Sequence, residues 1–289
     1  MLVRPHELIK GALAGEYALG SFNTSNLEVT LAIVAAAQQA AAPVIVQTSE
    51  GAIKYAGLRP LTALIRAVAQ QAAVPVVLHL DHGRNRQLIQ DCIAAGFTSV
   101  MIDASDAALE ENIGTVQQVV NYAHDRGVWV EAELGTMMGI EGAQAWRGRR
   151  VPEAFLTDPK AAKRFAAETG IDALAVSVGT IHGAFTGQEY IRFELLERIA
   201  AAVPHLPLVL HGASGVADDH LQRVAKTNVC KINVDTELRT AFEQAVRAYV
   251  NEAHKVADPR EMLGPAREAV QAVVEKKLRV FGSAGQAKV

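Results

Sequence analysis

Eight β-branched apolar runs alternate with eight amphipathic stretches in a chain of 289 residues. That pattern predicts an α/β fold, a closed (β/α)8 TIM barrel with an extra N-terminal helix and a C-terminal helical extension. Three observations carry the prediction. The runs are continuously apolar and rich in Val and Ile, as parallel strands covered on both faces must be. Eight strand–helix units fit within about 250 residues, the usual size of such a barrel. No linker, shift of composition or low-complexity stretch divides the sequence, so residues 1–289 read as a single domain.

A short helix over 4–14 comes first and is placed to plug the barrel bottom. Strands are expected over 17–23, 43–49, 75–82, 98–105, 128–134, 172–179, 207–212 and 229–235. Their helices fall near 25–40, 60–72, 85–95, 106–125, 158–168, 192–202, 217–226 and 236–254. Asn26, Ser105, Asp158 and Asp218 stand at helix starts, where a short polar side chain caps free N–H groups or an acid meets the helix dipole. The last helix, about 259–281, lies beyond the eightfold count. The connections 135–157 and 180–191 are long for this kind of fold and follow strands at the mouth. Long loops there serve as lids or binding loops.

Bulk composition narrows the function classes. Half of the residues are hydrophobic, and 28 basic against 31 acidic residues leave a net charge of -3. No basic stripe suits nucleic acid. The first residues lack the apolar core of a signal peptide, and no run reaches the roughly 18–20 apolar residues that span a membrane. Cys92 and Cys230 lie in apolar segments and read as reduced, buried thiols. The expectation is a cytoplasmic protein with a small-molecule partner, no nucleic acid and no membrane.

Chemistry concentrates at the strand ends. His82, His182 and His211 each close an apolar run, and a glycine follows each one. One such histidine would read as a hydrogen-bonded structural residue. Three of them at one mouth have the donor set of a catalytic zinc, which takes three protein ligands and keeps a position open. Glycine after each permits close backbone approach to a metal or an anion. Asp81, beside His82, supplies an acid/base group. His79, two residues before Asp81, shares its sheet face one step deeper. Glu131 and Glu133 share one face of the fifth strand, and two inward acids demand a cation. Either a second metal ion held with Asp103 or an interior Lys or Arg would serve. Gly212-Ala213-Ser214-Gly215 after strand seven, and Asn233-Val234-Asp235-Thr236 after strand eight, each open a helix where barrels bind phosphate.

The stretches HLDHG (79–83), AGFTSVMIDAS (95–105), VEAELG (130–135), LVLHGASG (208–215), KINVDTELR (231–239) and DPREMLGPAREAV (258–270) together resemble the class II, zinc-dependent fructose-1,6-bisphosphate and tagatose-bisphosphate aldolase family, from about residue 5 to 285. The resemblance implies catalytic zinc on His82, His182 and His211. It implies that Asp81 moves the C4 hydroxyl proton, and that Glu141, in the long loop, moves the proton at C3 of the dihydroxyacetone phosphate half. Asp103 and Glu133 match positions of a second divalent ion. Gly183, Gly212 and Ser214 match donors to the dihydroxyacetone phosphate group, with a monovalent cation (Na+ or K+) nearby. Asn233, Asp235 and Thr236 match the substrate-binding segment, Asn23 and Ser49 look like residues of the mouth, and Arg239 matches a cation for the second phosphate. Relatives are homodimers or homotetramers. Two departures stand out: the loop glutamate sits in Gly139-Ile140-Glu141-Gly142, and Thr186 stands where many fructose-specific relatives carry lysine.

Rival readings are a Schiff-base aldolase using Lys231, a catalytically silent partner subunit and a zinc hydrolase. The first leaves three histidines without a purpose. The second would be expected to lose ligands that this chain keeps. The third lacks a strand-end His-x-His pattern. Within the resemblance, fructose and tagatose bisphosphates differ only at C4. Asp235 and Arg239 favour fructose 1,6-bisphosphate, and Thr186 favours tagatose. A carboxylate can sense the C4 hydroxyl, so the expected reaction is cleavage of fructose 1,6-bisphosphate to dihydroxyacetone phosphate and glyceraldehyde 3-phosphate, a step of glycolysis and gluconeogenesis.

Overall fold

The computed structural model describes residues 1–137, 139–147, 151–186, 191–252 and 258–287, with 139–147 and 184–186 described by their backbone alone. Its strands are β1 (Leu19–Asn23), β2 (Val44–Ser49), β3 (Val76–Gly83), β4 (Ser99–Ile102), β5 (Trp129–Leu134), β6 (Gly139–Arg147), β7 (Ala173–Val176), β8 (His182–Thr186), β9 (Leu208–Leu210) and β10 (Val229–Val234). Eight of them close a parallel barrel in the order β1-β10-β9-β7-β5-β4-β3-β2, and these are the eight expected from the sequence. β6 and β8 pair with each other outside it, within the two long connections. Neither was expected as a strand, because they lack the apolar run that marks the others.

The helices are α1 (His6–Ala14), α2 (Leu27–Gln39), α3 (Glu50–Ala56), α4 (Leu58–Gln71), α5 (Arg86–Ala95), α6 (Leu109–His124), α7 (Pro159–Thr169), α8 (Phe193–Ala202), α9 (Asp218–Ala225), α10 (Thr236–Asn251) and α11 (Pro259–Val280). Asn26 caps α2 by accepting from Val29 N at 3.0 Å, Asp158 caps α7 by accepting from Ala161 N at 2.8 Å, and Asp218 lies in the first turn of α9. Ser105 caps nothing. α6 begins four residues later, and the Ser105 hydroxyl donates to Asp103 at 2.7 Å instead. The additional α3 is capped by Ser49 and separated from α4 by Gly57, whose φ of +80° suits glycine alone.

Two apolar layers explain the periodicity. Outward residues of the strands, such as Val44, Val46, Leu78, Val100, Val130 and Leu210, pack under the helices, and Val270, Val274 and Leu278 of α11 join the same core. Inward residues form a gradient. At the bottom, Ile9 and Ala12 of α1 pack on Leu19, Ile45, Val77, Met101, Trp129 and Val209, so α1 plugs the barrel as expected. Higher up, the interior turns polar: Ser21, Gln47, His79, Glu131 and Lys231 are all buried. Apart from Lys277 of α11, the buried charges among the described residues lie in one place, below and around the mouth. No described helix is long and apolar enough to cross a membrane.

Candidate metal centre

The three histidines expected at one mouth meet there. One nitrogen from each of His82, His182 and His211 lies within 4.8 Å of the others. His82 Nε2 stands 2.9 Å from His211 Nδ1, and the His82 and His182 rings are 4.9 Å apart. Their routes to this point differ. His211 follows Leu210, the end of β9. His82 lies inside β3, where a straight strand would send it to the face opposite Asp81. Instead the register against β4 shifts between Leu80 and Gly83, and His82 takes a φ of +45°. That conformation costs a residue with a side chain about 1–3 kcal/mol. Asp81 and His82 therefore both reach the mouth.

His182 departs most from expectation. The barrel strand ends at Val176, so His182 closes no barrel strand and begins β8 instead. Its segment is held against the end of β9. Thr180 Oγ donates to His211 O at 2.8 Å, and a Cβ on Gly212 would strike the Ile181 backbone. The glycine after His211 does allow close backbone approach, but the partner is the segment that carries His182.

Two of the three histidines each lean on a buried carboxylate. His211 Nε2 is 2.7 Å from Glu131 Oε1, and Glu131 Oε2 pairs with Lys231 Nζ at 2.9 Å. His79 lies nearby, 3.7 Å from Glu131, with its Nδ1 2.6 Å from Ser99 Oγ. His82 Nδ1 is 3.0 Å from Asp103 Oδ2 and 3.7 Å from Glu133 Oε2. Such carboxylates fix the ring orientation and tautomer of a metal-binding imidazole. The interior cation demanded by two inward acids is thus Lys231, fully buried beneath the histidines and not open to the mouth. That placement removes the imine reading of Lys231.

Asp81 is fully buried and its oxygens accept from Asn23 Nδ2 at 2.8 Å and Asn233 Nδ2 at 3.2 Å. Asn23 is held in turn by Gln47 Nε2 at 2.6 Å, and Gln47 by the Ser21 hydroxyl. Burial opposes ionisation of Asp81, but His82, His211, Lys231 and the Asn23 hydrogen bond outweigh it and hold the carboxyl below its ordinary value. Burial also opposes charge on His82, yet Asp81, Asp103 and Glu133 push it up to about 10. Burial and the neighbouring His82 charge bring His182 down to about 4. Burial, aided by Asp103, lifts Glu133 to about 8.

A cleft of about 210 Å³ opens beside this centre, lined by Asn23, Ser49, Asp235, Leu238 and Arg239 among others. Asp235 is buried; its Oδ1 accepts from Arg239 Nε at 2.8 Å, while Oδ2 has no hydrogen-bond partner among the described residues. Ser214, Asn233 and Thr236 are also buried there, and Gly183 and Gly212 adopt φ of +98° and +66°. The loop 212–215 is tied to α10: Gly215 N donates to Glu237 Oε1 at 2.9 Å, and Lys277 of α11, itself buried, reaches the same oxygen at 2.8 Å. Sequence reasoning missed Gln47 and Lys277. Gln47 shares the inward parity of its strand with Ser49, a signal that was available; Lys277 belongs to a helix far along the chain and gave none. The side chains of Glu141 and Thr186 lie outside the described residues.

Known proteins with this architecture agree in kind. The family profile of class II fructose-bisphosphate aldolases matches residues 3–286. The fructose-bisphosphate aldolase of Geobacillus stearothermophilus is 43% identical over 289 residues, covering 99% of both chains. That of Staphylococcus epidermidis strain RP62A is 42% identical over 290 residues with the same coverage. Among solved structures, the YdjI aldolase from Escherichia coli K12 superposes with a TM-score of 0.88 at 33% identity, covering 100% of both chains.

Proposed function

The chain belongs to the class II fructose-bisphosphate aldolase family, a family of lyases, and on that premise we propose that it cleaves fructose 1,6-bisphosphate reversibly with a single zinc ion held by His82, His182 and His211. The observation that carries this reading is the convergence of three imidazole nitrogens within 4.8 Å at the mouth, next to the buried carboxylate of Asp81. A donor set of three histidines suits a catalytic zinc with a position left for substrate. Zinc bound there would supply Lewis-acid polarisation of the substrate carbonyl, where charge develops as the C3–C4 bond breaks.

The chain's own groups do the rest. Asp81 accepts the C4 hydroxyl proton; its two asparagine donors keep both oxygens in place, and the surrounding positive charge keeps it ionised. Glu141 serves the proton at C3. What supports this is the backbone register of β6, in which Gly139, two residues earlier, pairs with His182. The dihydroxyacetone phosphate group is assigned to Gly183, Gly212 and Ser214, with Na+ or K+ beside it. Asn23, Ser49, Asn233 and Thr236 line the path of the sugar, and Arg239 meets the far phosphate. Binding energy from both phosphates orients the reacting carbons. Asp235 favours fructose over tagatose bisphosphate: its buried Oδ2, without a partner among the described residues, suits a substrate hydroxyl. A cytoplasmic homodimer or homotetramer completes the reading.

The test uses purified enzyme. EDTA should abolish cleavage and zinc should restore it, with kcat/KM higher for fructose than for tagatose bisphosphate. Activity that survives EDTA, with borohydride capturing dihydroxyacetone phosphate on a lysine, would overturn it.

A further inference from the structure

Beside the zinc ligands lies a second set of donors. His82, Asp103 and Glu133 also place their ligand atoms within 4.8 Å of one another. Asp103 directly follows β4 and Glu133 lies in β5, and both are buried. Taken alone, the trio would suit a second divalent ion.

Asp103 is already saturated. Its Oδ2 accepts from His82 Nδ1 at 3.0 Å, from Arg84 Nη2 at 2.9 Å and from Arg84 Nε at 3.2 Å. Its Oδ1 accepts from Ser105 N at 3.2 Å and from the Ser105 hydroxyl at 2.7 Å. Five donors meet a group with about four lone-pair sites. The guanidinium is anchored on its other side by Asp106 at 2.7 Å. Its backbone is pinned as well: the N–H groups of Arg84 and Asn85 donate to Glu50 Oε1 at 2.7 and 2.8 Å. Arg84 therefore leaves the end of β3 with a fixed start and a fork aimed at one carboxylate, the geometry that Arg supplies and Lys does not.

We propose that Arg84 is a tethered cation that takes the place of a second metal ion, so that this chain binds one divalent ion per subunit and uses the Arg84–Asp103 pair to hold His82. The guanidinium and a divalent ion compete for Asp103 Oδ2, and both cannot have it. The inference rests on the three-histidine reading, since His82 would otherwise be free to turn its Nδ1 elsewhere. Arg84 is 57% exposed, so its removal leaves the barrel core untouched.

The experiment counts zinc by mass spectrometry after equilibrium dialysis at a buffered free-zinc concentration, on wild type, Arg84→Ser, Arg84→Met, the double variant Arg84→Ser with Asp103→Asn, and His211→Ala as the reference for the histidine site. Wild type should hold one zinc. Both Arg84 single variants should hold two, with the second site tightened by about tenfold or more, and the Asp103→Asn change should return the count to one. Two zinc ions in wild type at the same free concentration would overturn the inference while leaving the three-histidine site standing. So would a count of one in both Arg84 variants. No zinc in wild type would overturn the histidine reading and this inference with it.

Discussion

His82 and His211 are held by the same sequence of partners, imidazole to carboxylate to cation, built in opposite surroundings. On the β9 side, His211, Glu131 and Lys231 are sealed inside the barrel, with no solvent at either charge. On the β3 side, Asp103 is buried but its cation, Arg84, stands at the rim. The sealed arm cannot be rearranged without leaving a charge uncompensated in a medium that solvates it poorly. The open arm can exchange its cation for water. One arm fixes the histidine cluster, and the other is where the cluster can be adjusted.

Asp81 lies between the two arms and draws charge from both. Asp81→Ala should retain zinc yet lose roughly 100–10,000-fold in kcat, the usual worth of general acid–base catalysis. Zinc analysis beside steady-state kinetics checks it, and near-normal turnover would remove Asp81 from the chemistry. The arms themselves should separate in stability. Lys231→Met strands Glu131 inside the barrel and should cost about 3–5 kcal/mol in denaturant unfolding. Arg84→Ser, at the rim, should cost no more than about 1 kcal/mol. Equal losses would break the comparison.

Acidity sharpens it next. In zinc-free protein the His82 imidazolium is raised to about 10 from an ordinary 6.5. The folded state therefore holds a proton that the unfolded chain has released. That contribution is fully present below pH 6.5, and melting temperature should fall as pH rises from there toward 10. Zinc affinity should climb over the same window, because the metal must displace that proton. Asp103→Asn should flatten both curves. A melting temperature that rises over this window would contradict the assignment. The smallest effect is expected at Asp235. Asp235→Ala should shift the ratio of kcat/KM between fructose and tagatose bisphosphates by roughly tenfold or more. An unmoved ratio assigns the discrimination to another group.

The barrel was legible because its strands obey one rule: buried on both faces, they run apolar for several residues between turn signals. All eight were read from that rule. What eluded it was local geometry. The β-like run before His182 carries on through Ser177 and Val178 past the strand end at Val176, and the backbone takes a φ of +113° at Gly179. β6 and β8 have no such run, and their pairing depends on two loops distant in sequence. The three histidines that meet at the mouth were legible from residue type, but His82 and Asp81 share the mouth through a register shift that strict alternation denies. Lys231 could be noticed and not placed, since its partner Glu131 lies across the barrel. Arg84 reads as an ordinary loop arginine until Asp103 is seen beside it.

One of the three clustered histidines does not belong to the barrel. His182 rides on the two-stranded ribbon of β6 and β8, whose other strand carries Glu141, while His82 and His211 are fixed to β3 and the end of β9. With zinc held as proposed, metal affinity and ribbon position share one free energy. Whatever favours the ribbon's seated arrangement, a bound sugar phosphate included, must tighten zinc, and zinc must tighten that ligand by the same factor. A loop substitution that touches neither metal nor substrate would register first as an altered dissociation constant for zinc, with the two affinities moving together.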